Sequence, residues 1–501
     1  MNRSVLALPL MLIPGISSAD ITPEDVWSNV QATYTAMGLE VTGDAMRTGE
    51  TLTVTNGIVT LTYPIIGGQA TITLPQLGLI DQGDGTVRVV MPDSYLSKVA
   101  ADIPEEDDQI SFEIAVSQSG FNSIASGDAG DVTYTTDVAK FDMIMNALDV
   151  PGEEVAFSLE FASEGYAGVT NVNEGDVLTI TSDVENRPST TSFSFAAQGM
   201  SQENTNNSDA MTTQATLVLP PDMNIMNLTP ALMAGLSVKA SMQTGPATGE
   251  SRMTMDGELM SEQVQSTGPG IAEFGLDKDG FRLTAEVSGF DATINQADLL
   301  PFPIEINGEV FAGSFAFPLV ANDAPQDFKY AFRMSGLEIA EGLWGMIDPG
   351  QGLDRSPIDL VFDVSGSLDW GLDVFDIPTL MTLDNGNADV PIAILSADIN
   401  DVTMNMLGGS VNATGAFTFD NDDLATFDGM PRPEGTAKAT ATGLNAVIDQ
   451  LIATGLLPED QAGMGRMFMG MFAVSTGDDA LETTVEINAE GHLMLNGQRM
   501  R

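Results

Sequence analysis

Two stretches decide the fold: Phe328-Lys329-Tyr330-Ala331-Phe332-Arg333-Met334 and Ile358-Asp359-Leu360-Val361-Phe362-Asp363-Val364. Large apolar residues stand at every second position, the period of a β-strand with one face turned inward. The same alternation runs outward in both directions. It recurs at Val155-Phe157-Leu159-Phe161, at Phe193 and Phe195, at Phe281-Leu283-Ala285-Val287, from Val411 to Phe419 and from Thr483 to Ile487. Asn-Gly and Asp-Gly pairs, the strongest short hairpin signals, punctuate it. They are Asn56-Gly57, Asp84-Gly85, Asp256-Gly257, Asp279-Gly280, Asn307-Gly308, Asn385-Gly386, Asp428-Gly429 and Asn496-Gly497. Strands with one apolar face each point to an antiparallel sheet rather than a parallel sheet buried on both sides. The expected fold is mainly β: a long curled antiparallel sheet, groove-like or open-barrel-like, with a few short helices.

One helix opens the expected mature chain. Thr22 suits its N-cap, Pro23 its first position, and Val26, Trp27, Val30, Tyr34 and Met37 its apolar face, with Gly38 as the stop. Short helices are expected at Thr229-Pro230 and from Glu338 to Ile347. A C-terminal pair follows: Leu444, Val447, Ile448, Leu451 and Ile452 share one face, Gly455 closes it, and Pro458 starts the second helix. Ala139 to Leu148 fits either a helix or a strand, and the polar run Ser201 to Ser208 reads as a loop. The chain divides on this reading into 20–200, 201–335 and 336–501. Four segments share a small-Gly-apolar-polar pattern: Ser119-Gly120-Phe121-Asn122, Ser288-Gly289-Phe290-Asp291, Ser335-Gly336-Leu337-Glu338 and Thr442-Gly443-Leu444-Asn445.

Composition excludes whole classes of chemistry. The 501 residues carry 71 Asp+Glu against 18 Lys+Arg, one His and no Cys, a formal charge of −53. Without cysteine there is no disulfide, thiolate nucleophile or zinc finger, and one histidine builds no multi-histidine metal site. The charge argues against nucleic acid and against anionic membrane surfaces. With 43% hydrophobic residues the chain still holds material for a core. Met1-Asn2-Arg3, an apolar run from Val5 to Ile16 and Ser17-Ser18-Ala19 read as a signal peptide over 1–19, cleaved after Ala19. The mature chain is then expected in the periplasm, with no later stretch long enough to span a membrane.

No enzyme motif emerges and no cofactor is implied. His492 lies in a turn-like context, and 71 carboxylates make any chosen acid pair uninformative. Calcium would suit the acids at Asp81, Asp84, Asp277 and Asp279, and at Asp420-Asn421-Asp422-Asp423. None completes a calcium loop, and each reads as an Asx turn. The apolar residues Met464, Met467, Phe468, Met471 and Phe472 on the last helix are the candidate ligand contacts. The reading favours a carrier of lipid or another apolar ligand. Its alternatives are a structural or interaction protein of the envelope and, third, a carboxylate-based hydrolase.

Several motifs carry a resemblance. They are Leu343-Trp344-Gly345-Met346-Ile347-Asp348-Pro349, Ser356-Pro357-Ile358-Asp359-Leu360, Gly415-Ala416-Phe417-Thr418-Phe419-Asp420, Thr426-Phe427-Asp428-Gly429-Met430-Pro431, Gly455-Leu456-Leu457-Pro458-Glu459-Asp460-Gln461 and the closing Leu495-Asn496-Gly497-Gln498-Arg499. With Ile21 to Trp27, they resemble the alphaproteobacterial family called domain of unknown function 2125. That family has no assigned activity, so the resemblance transfers no catalytic residue. More loosely, the chain resembles AsmA-like envelope proteins, which implies a curled sheet with an apolar groove and a part in lipid movement.

Overall fold

A computed structural model of the chain describes residues 20–62, 68–102, 109–151, 155–221, 223–224, 227–296, 300–376 and 391–500. The expected signal peptide, most of the acidic turn at 103–108 and Asn385-Gly386 lie outside them. The described residues are mainly β, in one antiparallel sheet.

The sheet opens with β1 (Glu40–Thr48) and β2 (Thr51–Thr62). Then come collinear pairs, each separated by one to three residues. They are β3 (Gln69–Thr73) with β4 (Leu77–Asp81), β5 (Val87–Val90) with β6 (Ser94–Asp102), β7 (Gln109–Ser119) with β8 (Asn122–Asp128), and β9 (Asp131–Val138) with β10 (Lys140–Asp149). Next are β11 (Ala156–Ser163) with β12 (Tyr166–Glu174), β13 (Leu178–Asn186) with β14 (Ser189–Ala197), and β15 (Met200–Ser208) with β16 (Met211–Leu219). β17 (Ser237–Thr244) with β18 (Ala247–Met255) and β19 (Glu258–Thr267) with β20 (Gly270–Asp277) complete the set. Long strands follow: β21 (Gly280–Asn295), β22 (Ile304–Phe317), β23 (Gln326–Ile339), β24 (Ile358–Trp370), β25 (Ile392–Met406), β26 (Gly409–Asp420) and β27 (Arg432–Thr442). Short β28 (Val474–Gly477), β29 (Ala480–Ile487), β30 (Leu493–Leu495) and β31 (Gln498–Arg499) end it.

The pairings divide at β2 and reunite at β21. Leu52 and Val54 of β2 pair with β4, while Ile58 to Thr62 pair with β3 on the same edge; β1 takes the other edge. A first leaf runs β2-β4-β5-β8-β9-β12-β13-β16-β17-β20-β21, and a second runs β2-β3-β6-β7-β10-β11-β14-β15-β18-β19-β21. Together they form a closed ring of twenty strands. Consecutive hairpins therefore alternate between leaves. The breaks are themselves stitched by backbone bonds: Leu74 N–H to Gly57 O (2.8 Å), Ala139 to Ser119 (3.0 Å), Arg187 to Gly165 (3.0 Å), Gly245 to Ala210 (2.9 Å) and Gly268 to Gly289 (2.9 Å). The ring is thus the outline of one sheet of long strands, creased across its middle. That is the curled antiparallel sheet the alternation implied.

Each crossing of the crease shifts the inward face by one residue. Leu52 and Val54 are buried before it and Val59 after it. An odd residue in one strand bends it and flips the alternation, which is what a bulge does. This explains the small-Gly-apolar-polar segments. Gly120, Gly289 and Gly336 stand at the crease with φ of 65°, 66° and 67°, and Gly443, opening a helix, has 74°. A left-handed residue is the signature of a glycine bulge. It also corrects two hairpin expectations. Asn56-Gly57 lies inside β2 and Asn307-Gly308 inside β22, where both continue through the crease rather than turning back. Asp256-Gly257 and Asn496-Gly497 are true turns, with left-handed φ at both residues.

One open reading is resolved and one expectation changes. Ala139 to Leu148 lies almost wholly in β10. Ser201 to Ser208 lies in β15, bonded on both edges to β14 and β18. The residues around 200 and 335 both fall inside strands of the continuous sheet.

Among the described residues there are five helices: α1 (Pro23–Ala36), α2 (Thr229–Met233), α3 (Glu341–Ile347), α4 (Leu444–Ala453) and α5 (Glu459–Phe472). None is long and apolar enough to cross a membrane. α1 is fixed by a reciprocal cap: Thr22 Oγ1 accepts from Asp25 N–H and Asp25 Oδ2 from Thr22 N–H. It packs Val26 and Trp27 against Val41, Leu52, Val54, Leu79, Val87, Ala125 and Val132. The second core gathers Leu232 of α2 with Val172, Leu178, Leu219, Leu319 and Val320. Both helices therefore lie on the inward face of the first leaf.

Candidate functional site

Cross-strand partners share a face, so register alone traces the inner surface. From Tyr134 of β9 the row runs Thr170, Ser182, Ala215, Ala240, Phe274, Leu283, Phe315, Tyr330 and Val364. At about 4.8 Å per strand, the path along the curled sheet from Tyr134 to Tyr330 is roughly 38 Å. Small residues form the middle of this floor and aromatic residues the far part.

The aromatic part is a contact ladder. Ring centroids are 5.5 Å apart for Phe274–Phe281, 5.5 Å for Phe281–Phe317, 4.9 Å for Phe317–Phe315, 6.2 Å for Phe315–Tyr330 and 5.8 Å for Tyr330–Phe362. Tilted and edge-on pairs at these distances are favourable aromatic geometry. Yet Phe315, Tyr330 and Phe362 remain 40%, 49% and 42% exposed. Large rings aligned on an inward face and left uncovered form an apolar tract, not a filled core.

At the other end of the row, a cavity of about 580 Å³ lies between α1 and the sheet. Its walls are mostly apolar, including Val26, Val30, Leu77, Leu79, Val172 and Ile180. Asn29 and Tyr134 border it, together with Thr33, Tyr34, Ser123, Thr136 and Thr170. Asn29 is 1% exposed. Its Oδ1 accepts from the Tyr134 hydroxyl at 2.9 Å, and its Nδ2 donates to Glu174 Oε1 at 2.6 Å. Burial, and then the Glu174 charge, push the Tyr134 hydroxyl well above its ordinary range, so it keeps its proton.

The second leaf differs. Phe193 and Phe195 face inward, but their partners on β15 are Asn204 and Gln202, and Asn206 follows opposite Thr191. Amides on one face and Glu203, Thr205 and Asn207 on the other gave β15 no apolar alternation, and for that reason it read as a loop. The outer face of the first leaf holds a polar groove of about 700 Å³, with Asp183, Gln214, Lys239, Glu273 and Arg282 among its walls.

The five candidate contacts on the last helix divide. Phe468 and Phe472 stack at 6.1 Å and border a cavity of about 300 Å³ with Val411, Ala439, Ala441, Leu444 and Leu481. Met464, Met467 and Met471 do not border it; all three are more than half exposed, on the same stripe of α5. The calcium candidates sit in two separate hairpins. Asp81 Oδ1 accepts from Gly83 N–H, Asp84 Oδ1 from Thr86 N–H and Oγ1, and Asp277 Oδ1 from Asp279 N–H. Asp277 also pairs with Arg282, and Asp279 with Lys278. Asp420 and Asp423 both bind Arg432. Among the described residues no three acidic or histidine side chains gather as metal ligands. His492 lies between β29 and β30.

A family model described as an uncharacterized protein conserved in bacteria, DUF2125, matches residues 236–499. The chain belongs to the DUF2125 family. No curated protein and no solved structure matches it. The DUF2125 match runs from the start of β17 to the end of β31, so it takes in the whole aromatic ladder and the α4–α5 cavity. The α1 cavity lies before it. Asn29 went unnoticed in the sequence because a polar residue in a helix is ordinarily solvent-facing. The available signal was its place three residues after Val26 and eight before Met37, inside the apolar stripe of α1.

Proposed function

We propose that this protein is exported to the periplasm and there holds an apolar ligand, such as a lipid chain, along the inner face of the creased sheet. It acts as a carrier and not as a catalyst. One observation carries the reading: the Phe281–Phe317–Phe315–Tyr330–Phe362 ladder is contiguous and faces inward, and its Phe315, Tyr330 and Phe362 end is left nearly half uncovered. An apolar chain laid along it would remove that surface from water, at about 25 cal/mol for each Å² covered. The −53 charge keeps such a protein in solution and repels anionic surfaces. The signal-like segment at 1–19 supports export.

The test is to purify the chain from its own periplasm without detergent, extract it, and analyse the extract by lipid mass spectrometry. Binding of N-phenylnaphthylamine is measured alongside. Lipid in stoichiometric amount, and probe fluorescence lost in the Tyr330→Ser, Phe362→Ser double variant, are expected. An empty extract together with no probe binding sinks the proposal.

A second reading has its own support. The exposed stripe Met464, Met467 and Met471 on α5 would suit a scaffold of the envelope that docks a protein partner. A single stoichiometric partner in envelope pull-downs, lost in Met467→Glu, would favour that reading over the carrier.

A further inference from the structure

We infer that the cavity beneath α1 is a headgroup site, and that it selects an uncharged, hydroxyl-bearing head such as a glycerol ester over a carboxylate. This deepens the carrier reading and rests on it.

Asn29 offers two amide hydrogens and one carbonyl oxygen, and Tyr134 offers one hydrogen and oxygen lone pairs. Among the described residues, Asn29 Oδ1 is taken by the Tyr134 hydroxyl and one Nδ2 hydrogen by Glu174. One amide hydrogen and the Tyr134 oxygen lone pairs are left over. Both residues border the cavity, and Asn29 is almost wholly buried. A buried polar group without its full complement of partners is costly, and water or a ligand hydroxyl completes it. One donor beside one acceptor is the complement of an alcohol, which accepts the amide hydrogen and donates to the phenol oxygen.

Of the other polar groups on the cavity wall, Ser123, Thr136, Thr170 and Thr33 have partners of their own, and the Tyr34 hydroxyl is a further polar group there. Ser123 and Thr136 bond each other at 2.8 Å, Thr170 bonds Ser182 at 3.0 Å, and the Thr33 hydroxyl donates to the Asn29 carbonyl at 2.9 Å. Asn29 and Tyr134 are thus the pair on this wall that sets a free amide hydrogen beside free oxygen lone pairs.

Charge then sorts the candidates. Glu174 Oε1 lies 2.6 Å from the Asn29 amide nitrogen, and among the described residues no cation borders the cavity. A ligand carboxylate at Asn29 would stand close to the Glu174 carboxylate and be repelled by it, although the exposure of Glu174 weakens the repulsion. A neutral glycerol head meets no such repulsion. The volume, about 580 Å³, fits a small head with the start of its chain. The rest of the chain would lie along Thr170, Ser182, Ala215 and Ala240 toward Phe274, the low part of the floor.

The experiment uses the purified full chain at about pH 8, where palmitate is ionised. It compares binding of monopalmitoylglycerol and palmitate, two ligands with the same tail, with N-phenylnaphthylamine as a head-free probe. The parent should bind monopalmitoylglycerol about tenfold tighter than palmitate, the size of one good hydrogen bond. Tyr134→Phe and Asn29→Leu should weaken monopalmitoylglycerol toward palmitate and leave the probe bound. Glu174→Gln should strengthen palmitate alone by a few-fold. Circular dichroism checks the fold of Asn29→Leu, and Tyr134→Phe, which keeps the ring, carries the test if that variant fails to fold. Equal affinity for the two lipids in the parent, or an unchanged preference in Tyr134→Phe, overturns the headgroup site while probe binding keeps the groove. Loss of all three ligands from the parent overturns both.

Discussion

Asp359 holds Gly336 across the crease: its Oδ1 accepts the Gly336 N–H at 3.0 Å, while its Oδ2 accepts from Asn405 Nδ2 at 3.1 Å. One carboxylate thus ties the bulge of β23 to β24 and β25. The bonds are charge-assisted, so Asp359→Ala should destabilise the fold by about 2 kcal/mol. Gly336→Ala should cost about as much, because its φ of 67° is left-handed and a Cβ would run into Glu309. Urea midpoints measure both. A midpoint unmoved in either variant would mean that the crease does not depend on this tie.

The contrast between core and tract gives a second prediction. Leu79 is fully buried against α1, so Leu79→Ala should cost about 3 kcal/mol. Tyr330 is half exposed, so Tyr330→Ser should change stability by no more than about 1 kcal/mol while impairing uptake of apolar probes. A large stability loss in Tyr330→Ser would show the tract to be a core after all.

Acid should unlock the segment after α3. The Gly352 and Leu353 N–H groups, with Arg355 beside them, hold the Asp348 carboxyl below its ordinary range. A depressed carboxylate contributes stability that is fully present above its unfolded value, about pH 3.9, and is lost as pH falls through the folded value. Asp348→Asn should therefore be less stable than the parent at neutral pH, and the two curves should converge in strong acid. Denaturant titrations across that window decide it; a gap that stays constant with pH contradicts the assignment.

Salt should raise the melting temperature. With 71 acidic residues against 18 basic, self-repulsion opposes the compact state at neutral pH, and ions screen it. A melting temperature that fell with added sodium chloride would instead mean that the fifteen ion pairs found among the described residues outweigh the repulsion.

Much of this was legible in the chain itself. Alternation at Phe328–Met334 and Ile358–Val364 identified strands with one inward face, and Thr22, Pro23 and Gly38 bounded α1. The alternation of hairpins between two leaves was not legible, because it depends on which edge each strand meets, and periodicity carries no partner information. The crease had left a trace in the Ser-Gly-Phe segments and in Asn56-Gly57, but a left-handed residue marks a bulge and a turn alike. At the candidate site, exposed Phe468 and Phe472 were named from sequence, whereas Asn29 was not, since its partners Tyr134 and Glu174 lie 105 and 145 residues away.

The pairing order has one more consequence, for how the chain comes to its shape. Although twenty strands close a ring, every strand pairs only with strands at most three places away in sequence. No step has to bring distant ends together, so no large loop-closure entropy stands in the way. The sheet can be zipped up in the order in which the chain is synthesised, each new hairpin finding its template already in place.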